Sequence, residues 1–82
     1  TVSIRLYVMN KVIRSPKELG QAAREARKAQ DLSQEELAGI SGTGRRFISD
    51  LENGKQSSQI GKVLHVISTL GLSLEINRKW GK

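Results

Sequence analysis

A chain punctuated as often as this one can form only short helices. Ser15-Pro16-Lys17-Glu18 and Ser33-Gln34-Glu35-Glu36 each place a serine three residues before a glutamate, the pattern that caps a helix start reciprocally. Pro16 also fits the first helical position, where its missing N–H costs nothing. After the first start, Leu19, Ala22, Ala23, Ala26 and Ala29 recur at helical spacing, while Arg24, Glu25, Arg27 and Lys28 cover the other face. This predicts a helix ending near Gln30-Asp31. After the second start, Leu37, Ala38 and Ile40 predict a short helix that Gly39 weakens and Ser41-Gly42 ends. A third helix is expected from Gly44 to Asn53, with Ile48 and Leu51 as its core pair and Asn53-Gly54 as a left-handed stop. A fourth is expected from Gln59 to Leu70, capped by Ser58. Ile60, Val63, Leu64, Val66, Ile67 and Leu70 give it a broad apolar stripe, and Gly71 ends it.

The two ends of the chain have a different period. Residues 3–9 alternate Ile4, Leu6 and Val8 with Arg5, Tyr7 and Met9, and residues 72–77 alternate Leu72, Leu74 and Ile76 with Ser73, Glu75 and Asn77. A period of two predicts strands. The fold class expected is therefore mainly α, four to five helices with short terminal β-strands. Two isolated strands make a poor sheet, so pairing across a dimer is expected, with Leu72, Leu74 and Ile76 as dimerisation residues. Three segments follow: a strand and arm at 1–14, a helical domain at 15–71, and a strand with a basic tail at 72–82.

Composition narrows the function. The 82 residues carry 14 Lys and Arg against 8 Asp and Glu, a formal charge of +6, which points to an anionic partner, nucleic acid before a membrane surface. There is no cysteine and one histidine, which excludes disulfides and thiolate metal sites and argues against structural zinc; no metal and no cofactor is expected. No apolar run is long enough for a membrane span, and residues 1–8 lack the apolar core of a secretory signal, so the cytoplasm is expected. His65 has no carboxylate neighbour in sequence, and no GxxxxGK phosphate loop exists. The chain reads as a non-enzyme.

Leu32 to Leu72, "LSQEELAGISGTGRRFISDLENGKQSSQIGKVLHVISTLGL", resembles the helix-turn-helix domain of phage repressors of the Cro/C1 (XRE) type. The features that carry the resemblance are Gln34 opening the first motif helix, Ala38 at the close crossing, Gly42 in the turn, Ile48 and Leu51 as the buried pair, and "LENGK" after them. "GRRFISDLENGK" and "GKVLHVISTLGLSL" resemble HipB-like and Y4mF-type antitoxins in particular. The sequence departs from the pattern at Ser41 and Thr43, where small or branched apolar residues are usual, and at Gly44, where Ser or Thr usually caps.

The resemblance implies a repressor that binds a palindromic operator as a homodimer, autoregulates a toxin–antitoxin operon, and binds a HipA-like kinase toxin. Other readings stay open: a protein-interaction module that mainly neutralises a toxin, or a phage-type or cellular repressor with no toxin partner. In this frame Arg45, Arg46 and Ser49 lie on the recognition helix as base contacts. An arginine there pairs bidentately with guanine or clamps a phosphate. Gln34, Thr43 and Lys55 fall where the family touches the DNA backbone. Phe47 is out of register with Ile48 and Leu51; it touches a thymine methyl, lies over the first helix, or faces a partner. Trp80, in a charged tail, is either a partner anchor or a solvated end.

Overall fold

The computed structural model describes residues 11–56, 59–76 and 78–80, and among them it contains four α-helices. These are α1 (Pro16–Ala29), α2 (Gln34–Ser41), α3 (Arg45–Glu52) and α4 (Ile60–Thr69). The helix α3 packs against both α1 and α2, and α4 packs against α2.

The local code explains each boundary. The Ser15 Oγ accepts from the Glu18 N–H at 3.1 Å. The reciprocal half of that expected box is displaced by one residue, because the Glu18 carboxylate takes the N–H of Arg14 rather than that of Ser15. At α2 the box is complete: Ser33 Oγ accepts from the Glu36 N–H at 2.9 Å, and the Ser33 N–H donates to Glu36 Oε1 at 2.8 Å. At the other ends, paired reverse bonds close each helix around a left-handed residue, as when the N–H of Thr43 reaches the carbonyl of Ala38 past Gly42. Gly42, Gly54 and Gly71 hold φ of 71, 78 and 80°, and Asp31 takes the same role at φ 58° without being glycine.

The core is built from Ala23, Leu37, Ala38, Ile48, Leu51, Val63, Val66, Ile67 and Leu70, with Leu19, Ala26, Phe47 and Leu72 packed on its edge. Helix α4 turns Val63, Val66 and Ile67 inward, but Ile60 and Leu64, one turn apart, point outward. Ile40 on α2 is also exposed. Their apolar arcs are wider than the core that three other helices cover. Gly20 sets the crossing of α1 and α3: a Cβ there would lie 2.1 Å from the carbonyl oxygen of Leu51.

The expectation of terminal strands and a sheet is overturned: among the described residues the fold is all-α, with no strand. Residues 72–76 carry no ladder. The N–H of Leu72 instead closes the end of α4 on the carbonyl of Ile67 at 3.1 Å. Leu72 packs on the core edge, whereas Leu74 is 47% and Ile76 fully exposed. Alternation fixes an extended, amphipathic backbone but supplies no second edge to bond to, and no described segment provides one. The other expected strand, residues 3–9, and the expected cap Ser58 lie outside the described residues.

Candidate nucleic-acid interface

The helix-turn-helix is formed by α2, the turn at Gly42, and α3. Its electrostatics start from a helix start without acids. Gly44 caps α3 with no side-chain bond, and Arg45 and Arg46 are its first two residues, both exposed. Neither takes part in an ion pair among the described residues. Ser49, one turn after Arg45, is half-buried on the same side of the helix. The exposed end of α3 therefore offers two unpaired guanidinium forks and a hydroxyl.

Thr43 does not cap α3. Its Oγ1 lies 3.0 Å from the Oγ of Ser41, which itself donates to the carbonyl of Leu37 at 2.7 Å. These two hydroxyls stand where small or branched apolar residues are usual; with the Ser41 proton committed to Leu37, the Thr43 hydroxyl donates to Ser41 Oγ inside the turn. Lys55 follows the left-handed Gly54, is exposed, and lies 3.5 Å from Asp50 Oδ2. Phe47 is half-buried against the core, and the ammonium of Lys62 sits 5.7 Å from its ring centroid. Trp80 is 69% exposed.

Gln34 is the first residue of α2, and its Nε2 donates to Glu52 Oε1 at 3.0 Å. Glu52 is the centre of a buried network. Arg27 donates to it from Nε at 2.6 Å and from Nη2 at 3.1 Å, and its Nη1 reaches the carbonyl of Leu32 at 2.6 Å. The side chains of Arg27 and Glu52 are only 10% and 3% exposed. One ion pair thus ties α1, the link after it, the start of α2 and the end of α3 together. It also holds the side-chain nitrogen of Gln34, while the backbone N–H of that residue remains at the open start of the helix.

The sequence pattern puts Arg27 on the face opposite the apolar stripe of α1, and at the end of α3 Glu52 is explained as readily by capping or by a solvated face. The signal against that was present. Arg27 falls in step with Gly20 and Ala23 on the buried side of α1, and Glu52 follows Ile48 by one turn. Two opposite charges on two buried faces mark a pair.

Residues 24–77 match the family model described as helix-turn-helix. A helix-turn-helix-type transcriptional regulator named y4mF, from Sinorhizobium fredii, is 54% identical over 68 residues, covering 83% of this chain and 90% of that protein. A chain in the structure of a HipA-HipB-O2-O3 complex superimposes with a TM-score of 0.77 at 25% identity, covering 87% of this chain and all of its own. HipB in a complex with an O4 20mer gives 0.76 at 25% identity and the same coverage. The restriction-modification controller protein C.AhdI from Aeromonas hydrophila gives 0.63 at 33% identity, covering 71% of this chain and 84% of its own.

Proposed function

Given that the chain belongs to the helix-turn-helix family of DNA-binding transcriptional regulators, we propose that it represses its own operon as a two-fold dimer and serves as the antitoxin of a HipA-like kinase. The observation that carries the DNA reading is the unpaired, exposed Arg45-Arg46 start of α3, which is free to enter a major groove. There Arg45 and Arg46 bond the O6 and N7 of guanine, and Ser49 lies against the base edges beneath them. The backbone N–H of Gln34 meets a phosphate at the positive end of α2, and Thr43 and Lys55 flank the same strand. Two such helices enter successive major grooves about 34 Å apart on a palindromic site and exclude polymerase.

Dimerisation draws on the apolar groups that the single chain leaves in water. Ile60 and Leu64 on α4, with Leu74 and Ile76 beyond it, are exposed, and Leu72 borders them at the core edge. The toxin reading is supported by the likeness to HipB in a HipA-containing complex. Among the described residues, Trp80 on the tail and the half-buried Phe47 beside Lys62 are the aromatic groups open to such a partner. A repressor with no toxin partner is the second reading, favoured by the likeness to a restriction-modification controller protein. Co-purification with the product of the adjacent gene, combined with footprinting of the upstream DNA, separates them. A protected palindrome with a bound kinase supports the antitoxin. Protection without a partner supports the second reading, and no protection contradicts both.

A further inference from the structure

We propose that the outer face of α1 is a second phosphate-binding strip, which carries the DNA footprint past the helix-turn-helix. This rests on the DNA-binding reading above and extends it. Lys17, Gln21, Arg24 and Lys28 are all exposed and recur at helical spacing along one face. They line a shallow groove between α1 and the end of α3, together with Glu25, Glu52 and Asn53. Both carboxylates of that groove are already neutralised: Glu25 by Lys11 at 2.6 Å, and Glu52 by Arg27 at 2.6 Å. Lys17, Arg24 and Lys28 take part in no ion pair among the described residues. Three cations therefore remain uncompensated, with amides at Gln21 and Asn53 between them.

The strip is continuous with the expected backbone contacts on two sides. Glu52, in the groove, accepts from Gln34 at the start of α2. At the other side the main chain of Lys17 lies against Gly54, so closely that a Cβ on Gly54 would stand 2.7 Å from the Lys17 Cα. Lys55 follows directly. From Lys17 to Lys28 the helix rises by about 16 Å. Phosphates of one strand recur about every 3.4 Å along the axis, so the strip is long enough to follow several of them. This continuity with phosphate-contacting positions favours a nucleic-acid backbone over an acidic protein as its occupant.

The test is the salt dependence of binding by the full chain. The probes are a long duplex carrying the site that the wild type selects from random DNA, the same site trimmed of its flanks, and a scrambled long duplex. Lys17→Gln/Arg24→Gln/Lys28→Gln is compared with the charge-matched Lys62→Gln/Arg78→Gln/Lys79→Gln. The strip variant is expected to lower the slope of log K against log salt by about 2.7 per protomer on both long duplexes, at roughly 0.9 per phosphate contact. The preference for the selected site is expected to persist, and the advantage of long over trimmed DNA to vanish. Lys17→Arg/Lys28→Arg should keep the wild-type slope. An unchanged slope in the strip variant, or an equal fall in the charge-matched variant, overturns the strip while leaving specific binding intact. A wild type that binds no duplex overturns both.

Discussion

Replacing Arg27 by methionine keeps the aliphatic stem and removes every donor that faces Glu52 from α1. In the folded chain Arg27 makes two bonds to Glu52 and one to the carbonyl of Leu32. After Arg27→Met the carboxylate keeps only the amide of Gln34. At 3% side-chain exposure it has almost no water to replace what is lost. Breaking a buried pair by removing one partner typically costs about 3–5 kcal/mol, whereas an exposed pair is worth about 0–1. A domain of this size has a total stability of about 4–12 kcal/mol. Arg27→Met should therefore lose a large part of it, and the loss should reach the start of α2 and the end of α3 alike. Urea unfolding followed by circular dichroism, at one fixed protein concentration, measures the change. The double variant Arg27→Met/Glu52→Leu removes the stranded charge with its partner and should recover to within about 2 kcal/mol of the wild type. Losses below about 1 kcal/mol for Arg27→Met, or a double variant as unstable as the sum of its singles, would refute the reasoning.

Gly20→Ala places a methyl 2.1 Å from the carbonyl oxygen of Leu51, a backbone atom that must move, so α1 and α3 separate. A net loss of about 1–3 kcal/mol is expected in thermal or urea unfolding, despite the better helix propensity of alanine. At Asp31, held at φ 58°, Asp31→Val should lose about 1–2 kcal/mol and Asp31→Gly should lose nothing, as read by paired melting curves. Ser33→Ala removes the acceptor for the Glu36 N–H and should cost about 1 kcal/mol, checked by the same unfolding assay.

The parts of this fold that could be read from sequence are those encoded within a few neighbouring residues. Ser33 with Glu36, and glycine at 42, 54 and 71, each specify a helix end without reference to the rest of the chain. The strand expected at 72–77 failed because a ladder depends on a distant edge, and Leu72, Leu74 and Ile76 say only that the backbone is extended with one apolar side. The buried pair of Arg27 and Glu52 left only half a mark: each falls in step with the buried residues of its own helix, but which group it meets is decided only when the two helices pack. Gly20 gave no warning either, since a glycine within a helical pattern marks a close approach only when the partner backbone is known. In the candidate site, the exposure of Arg45 and Arg46 follows from their place at the start of a helix whose other side carries Ile48 and Leu51. That the Gln34 side chain bonds Glu52 was invisible, because α2 and α3 meet there only after folding.

Sequence-specific recognition by the start of α3 is tested most directly by measuring Arg45→Ala and Arg46→Ala on the site selected by the wild type and on a scrambled duplex at one salt concentration. At least one of the two is expected to lose about 1–3 kcal/mol on the selected site, with a relaxed base preference at one position and a much smaller change on scrambled DNA. Equal losses on both duplexes would reduce the two arginines to phosphate contacts, and a wild type with no preference between the duplexes would contradict recognition by α3 altogether.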